Sequence, residues 1–129
     1  MSFPWIEYLT LAEALVQARG TFAHDEACCR AAISRAYYAA YCAARNHARD
    51  GEGLVLHQTS GDHQRVILHY RRTANRSHQE IAELLFRLRR VRTRADYDDQ
   101  MLHAIPRAHT ALRRARPCST SFRHCKHSR

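Results

Sequence analysis

Five arginines fall within the eight residues from Arg87 to Arg94. At about 100° per residue on a helix, Arg87, Arg90 and Arg94 lie along one stripe. Guanidinium groups in such a stripe can follow a phosphate backbone, with an affinity that falls as salt rises. No aromatic residue interrupts the segment, so it predicts RNA contact without base-specific readout, and a solvated face is the alternative. The last predicted helix adds Arg113, Arg114 and Arg116.

The C-terminal tail holds four side chains that could bind zinc. They are Cys118, His124, Cys125 and His127. Zinc fingers need two close pairs of ligands, and this spacing does not provide them. We therefore predict no metal and no cofactor, and interpret residues 117–129 as a basic, disordered tail.

Charge is distributed unevenly along the 129 residues, whose formal net charge is +9. The first 64 residues carry five arginines and seven acids, whereas the remainder carries sixteen basic residues and five acids. This balance places any polyanion-binding surface in the second half. Five cysteines and the absence of a signal-like start predict a reducing, cytoplasmic setting, and no apolar run is long enough for a membrane helix.

Apolar residues recur at helical spacing through most of the chain, and only four glycines and three prolines interrupt it. The pattern predicts an all-α, up-and-down bundle of four to five helices in one domain, residues 1–116. Ser77 and Glu80 match a capping box, and Asp98 or Asp99 is the predicted cap of the last helix, with Leu102 on its core face. The predicted helices are 4–19, 23–49, 62–72, 77–95 and a fifth that follows residue 99 and ends near 116.

Arg35 lies within a tyrosine-rich stripe of the second predicted helix, where it would be buried. A buried arginine needs a carboxylate partner. We therefore predict an ion pair between Arg35 and Asp96 that ties the fourth helix to the second.

Three sequence blocks resemble the small single-domain HEPN (higher eukaryote and prokaryote nucleotide-binding) proteins. They are Trp5-Ile-Glu-Tyr-Leu, Arg30-Ala-Ala-Ile-Ser-Arg-Ala-Tyr-Tyr-Ala-Ala-Tyr41 and Arg92-Thr-Arg-Ala-Asp-Tyr-Asp98, with His63 opening the third predicted helix. The resemblance implies a dimeric helical bundle that works beside a nucleotidyltransferase-like partner in a toxin–antitoxin or defence system. It also implies that Tyr97 could occupy the place of a tyrosine that such partners modify.

Active members of that family are metal-independent ribonucleases, in which an arginine and a nearby histidine line a cleft between two subunits. Such an imidazole could exchange a proton with the RNA, and the guanidinium could hold the phosphate. After Arg92 the corresponding positions hold Tyr97, Asp98 and Asp99. The resemblance therefore favours RNA or partner binding over cleavage. The alternatives are a ribonuclease that combines Arg92 with His63 or His103, and a purely structural interaction module.

Overall fold

The structure is a computed structural model that describes residues 3–21 and 23–122. Over these residues it contains helices and no strand, which confirms the predicted all-α bundle. None of the helices described is both long enough and apolar enough to cross a membrane. The helices are α1 (Ile6–Gln17), α2 (Asp25–Gly51), α3 (Asp62–Arg71), α4 (Arg76–Tyr97) and α5 (Ala104–Thr120).

Helix α2 is the centre of the bundle and packs against all four other helices. Alanine is the most frequent residue on its buried face, and these small side chains let neighbouring helix backbones approach closely. Large side chains from other helices fill the space beside them, among them Ile67, Leu85 and Leu88. The hydroxyl of buried Tyr70 donates a 2.6 Å hydrogen bond to the Ala44 carbonyl, which joins α3 to α2.

Two predicted helix starts are wrong because other residues form the caps. The side chain of Asn75 accepts a 3.2 Å hydrogen bond from the His78 amide, so α4 begins at Arg76 rather than at a Ser77 capping box. Asp98 follows the end of α4, and α5 begins only after His103, whose φ of 59° is left-handed. This later start leaves Leu102 72% exposed instead of in the core.

The predicted start of the tail at residue 117 is also wrong. Helix α5 continues through Pro117 to Thr120, and Cys118 and Phe122 are buried. Burial raises the pKa of the Cys118 thiol to about 12, which keeps it protonated and unsuitable as a zinc ligand. Residues 123–129, which include His124, Cys125 and His127, lie outside the described residues.

The segment between α2 and α3 is folded back by Asp62. Its carboxylate accepts hydrogen bonds from the amides of His57 (3.0 Å) and Gln58 (2.8 Å), and pairs with Arg65 at 2.9 Å. The His57 amide, with help from Arg65 and Gln58, lowers the pKa of Asp62. The segment thereby becomes a fixed wall beside α2.

Candidate nucleic-acid interface

Arg92 is tied to its own helix and to α2. Its Nε lies 3.0 Å from Asp96 Oδ2 in an ion pair one helical turn away. It also donates a 2.7 Å hydrogen bond to the Tyr38 hydroxyl. Only 17% of the Arg92 side chain is exposed. The guanidinium is therefore already neutralised, which limits its use as a free phosphate ligand.

The predicted ion pair between Arg35 and Asp96 is replaced by the pair between Arg92 and Asp96. Among the described residues Arg35 has no carboxylate partner, and its guanidinium lies over the rings of Tyr8 (4.8 Å) and Tyr38 (5.3 Å). The Ser34 hydroxyl lies 3.3 Å from an Arg35 nitrogen and 3.4 Å from Asp96 Oδ2. The two helices are therefore joined near the predicted place, but through a hydroxyl and through Arg92. The sequence alone does not show that Arg35 would form cation–π contacts in place of an ion pair.

His63, near the start of α3, is held by two tyrosines of α2. Its ring stacks on Tyr41 with centroids 4.2 Å apart, and its Nδ1 forms a hydrogen bond with the Tyr37 hydroxyl. Burial raises the pKa of Tyr37, so the phenol stays protonated and forms this hydrogen bond as a neutral group, with either the hydroxyl or Nδ1 as the donor. The Nδ1 of His63 is thus already engaged within the protein.

The pKa of His63 is lowered to about 4, first by burial and then by the positive charges of Arg89 and Arg92, with Asp62 acting in the opposite direction. Between pH 6.5 and about 4 the unfolded chain binds a proton that the folded protein does not. We therefore expect the free energy of unfolding to decrease as pH falls through this window. His63→Gln should remove that part of the decrease, because glutamine does not titrate and its oxygen can still accept from Tyr37. Urea denaturation of both proteins across the window measures the effect, and parallel pH profiles would contradict it.

A cleft of about 910 Å³ opens beside these residues, between α1, α2 and the segment that leads into α3. Its most prominent lining residues are arginines and aromatic residues. Arg45 lies over the rings of Trp5 (5.5 Å) and Tyr41 (5.9 Å), much as Arg35 lies over two other rings. We call this the aromatic–arginine cleft. It is lined by Trp5, Tyr8, Arg35, Tyr38, Tyr41, Cys42, Arg45, Arg49, Leu54, Val55, Leu56, Gln58, Thr59, Asp62 and His63.

The cleft has an excess of unpaired positive charge. Arg49 pairs with Asp50 at 2.8 Å, and Asp62 is held by backbone amides and Arg65. Within the described residues neither Arg35 nor Arg45 forms an ion pair. Two nitrogens of Arg45 donate hydrogen bonds of 3.0 Å and 2.9 Å to the neutral amide oxygen of Asn46. A guanidinium whose faces lie on rings keeps its in-plane N–H groups for oxygen ligands, and phosphate is a favoured one.

A second basic site, the arginine groove, lies between α4 and α5 and has a volume of about 180 Å³. The structure brings Arg87, Arg90 and Arg94 together there, as the helical spacing predicts. Arg107 and Arg114 of α5 also line the groove. The sequence analysis identifies Arg114 but not Arg107. Arg113 does not line the groove and instead lies 3.3 Å from the Thr110 hydroxyl.

Two predicted site residues lie apart from the cluster around His63. Tyr97 is 73% exposed, and its ring centroid is 5.9 Å from the Arg92 guanidinium carbon. His103 is an exposed residue at the start of α5, and no described contact joins it to Arg92. The structure therefore offers no imidazole from His103 for chemistry at Arg92 within one chain.

Sequence reasoning missed most of the aromatic–arginine cleft. One signal was present: Arg35, Tyr38, Cys42, Arg45 and Arg49 recur at intervals of three and four residues, which places them on one face of α2. The same helix carries a tyrosine-rich stripe, which the sequence pattern places in the buried part of the bundle. No spacing rule connects this face to Trp5 or to the segment after α2.

Comparison with known proteins adds no relative: no protein-family model, no curated protein and no solved structure matches the chain.

Proposed function

We propose that this protein is a HEPN-type RNA-binding module that holds single-stranded RNA in the aromatic–arginine cleft. The observation that carries the proposal is the position of Arg35 and Arg45. Each guanidinium lies over two aromatic rings, and neither forms an ion pair among the described residues. Arginines beside aromatic rings in an open cleft are a combination that can bind nucleic-acid strands through phosphates and stacked bases.

Single-stranded RNA suits the cleft better than a duplex. Duplex binding depends mostly on contacts to regularly spaced phosphates, whereas a cleft can receive an unpaired base and its phosphate together. Trp5 and Tyr8 supply partly buried rings at its rim. The arginine groove supplies a second set of cations that can take further phosphates of the same strand.

The cellular role follows from the HEPN resemblance and belongs to the proposal. The protein acts as a homodimer in the cytoplasm, together with a nucleotidyltransferase-like partner of a toxin–antitoxin or defence system. The exposure of Tyr97 supports this role, since a partner enzyme can reach its hydroxyl. Molar mass in solution, measured with and without RNA, tests the dimer, and a monomer at micromolar concentration would contradict it.

Metal-independent RNA cleavage is the second candidate, because His63 lines the cleft. Two contacts favour binding over cleavage. The Tyr37 hydroxyl occupies the Nδ1 of His63, and Asp96 neutralises Arg92. A general base needs a free lone pair near the proton it removes.

The experiment is to incubate the wild-type protein with end-labelled single-stranded RNA in buffer without magnesium, and to measure both binding and cleavage. We expect binding that weakens as salt rises and RNA that stays intact. Cleavage that is lost in both Arg92→Gln and His63→Gln would instead establish the ribonuclease. A protein that neither binds nor cleaves RNA would be the structural interaction module, and the proposal would be wrong.

A further inference from the structure

Three histidines from three helices converge on one glutamate at the C-terminal end of α2. Glu52 directly follows α2, and His47, His69 and His78 come from α2, α3 and α4. The Nε2 atoms of His69 and His78 each lie 2.8 Å from a Glu52 oxygen, and that of His47 lies 3.4 Å away. We call these four residues the histidine–glutamate cluster.

The three histidines of the cluster are partly buried, and Glu52 lies at the surface. The exposed fractions of its side chains range from 16% for His78 to 28% for Glu52. The ring of Phe122 stacks on His47 with centroids 4.4 Å apart, and the Tyr70 ring lies 5.0 Å from His78. An apolar shell of this kind fixes the orientation of imidazoles and lowers the local dielectric, as in many metal sites.

Glu52 is ionised at neutral pH. Burial alone would raise its pKa, but the hydrogen bonds from His69 and His78 outweigh that effect and lower it. One negative charge is thus surrounded by three imidazole rings. This set of ligands, nitrogen from histidine and oxygen from a carboxylate, suits divalent zinc and its first-row neighbours rather than magnesium or calcium.

The distances are close to those of a tetrahedral site. The possible ligand atoms of His47, Glu52 and His78 all lie within 4.8 Å of one another. Zinc bonds of about 2.0–2.2 Å at tetrahedral angles place neighbouring ligand atoms roughly 3.4 Å apart. Side-chain rotations that move each ligand atom by up to about one ångström are enough to reach that geometry. His69 hydrogen-bonds the other carboxylate oxygen of Glu52, Oε1, and lies outside this set of three, so its ring must turn toward the other two histidines to supply a fourth ligand.

We propose that His47, Glu52 and His78, with His69 as the fourth ligand, form a binding site for Zn²⁺. On binding, each Nε2 hydrogen bond to Glu52 is replaced by a bond to the metal, and the ring proton moves to Nδ1. The Nδ1 of His78 is buried and has no hydrogen-bond partner among the described residues, so no described donor holds the ring in the opposite tautomer. Four protein ligands leave no open position, which makes the site structural rather than catalytic.

Such a metal would join the end of α2 to α3 and α4. Glu52 also begins the segment that carries Leu54, Val55 and Leu56 along the wall of the aromatic–arginine cleft. Zinc would therefore hold the Glu52 end of that wall, as Asp62 holds the end at His57 and Gln58. The site does not depend on the cleft binding RNA, because its ligands belong to a different part of the bundle.

The experiment titrates metal-stripped full-length protein with Zn²⁺ by calorimetry, and with Co²⁺ by visible absorption, which reports tetrahedral coordination. We expect one equivalent to bind and the melting temperature to rise. His78→Gln and Glu52→Gln should each weaken binding at least about 100-fold. Circular dichroism of the metal-free proteins shows whether each variant is folded, so that a loss of binding is not confused with a loss of structure.

Two controls isolate the cluster from the other histidines. His109→Gln removes an exposed histidine of α5 and should bind zinc like the wild type. His124→Gln combined with Cys125→Ser and His127→Gln removes the remaining tail ligands and should also leave binding unchanged. Zinc binding that disappears in the tail variant, or that survives in both cluster variants, would overturn the proposal. No zinc binding by the wild type would leave the cluster as a hydrogen-bonded network only.

Discussion

Phe122→Ala is expected to lower the free energy of unfolding by about 3 kcal/mol, whereas Leu102→Ala should change it by less than about 0.5 kcal/mol. Phe122 is 8% exposed and packs against His47 and Tyr70, so its removal leaves a cavity. Leu102 is 72% exposed and loses little contact when shortened. The sequence pattern alone predicts the reverse order, because it assigns Leu102 to the core and Phe122 to the tail.

Urea denaturation in the presence of a chelator measures both changes without any contribution from bound metal. Equal effects of the two substitutions would contradict the packing of Phe122. A larger loss of unfolding free energy for Leu102→Ala would mean that α5 starts earlier and that Leu102 lies on its core face, as the sequence pattern predicts. The comparison therefore tests both ends of α5 with one pair of variants.

The number and the faces of the helices could be predicted because they depend on local apolar spacing. Ile81, Leu85 and Leu88 recur at intervals of three and four residues and are all buried in α4. Helix ends depend on a single cap, and several residues near each end can form one. Asn75 forms the cap that Ser77 was predicted to form, and the shift is only one or two residues.

Surfaces assembled from distant parts of the chain could be predicted only where they lie within one helix. The arginine groove was partly predicted because Arg87, Arg90 and Arg94 share a stripe of α4. The histidine–glutamate cluster was missed because His47 and His78 are 31 positions apart on different helices. Their approach depends on how α2, α3 and α4 pack, which no spacing rule contains.

The double substitution Arg35→Gln with Arg45→Gln is expected to weaken binding of a short oligouridine about 100-fold at low salt. Each lost charge-assisted contact to phosphate is worth about 1.4 kcal/mol or more, which is tenfold. The slope of log affinity against log salt should also become shallower by about 1.4, since each phosphate contact to a single strand contributes about 0.7. Fluorescence anisotropy at several salt concentrations gives both quantities.

Arg76→Gln with Arg113→Gln is the matched control, because it removes the same charge from exposed positions that line neither basic site. It should reduce affinity by only a few-fold, through the change in net charge.

Arg90→Gln with Arg94→Gln tests the arginine groove in the same way. If the groove variant loses the affinity and the cleft variant keeps it, RNA binds between α4 and α5 and the cleft assignment is wrong. Equal losses in all three variants would mean that the protein attracts RNA through its overall charge and has no specific site, since only a localised contact makes the position of a removed charge matter.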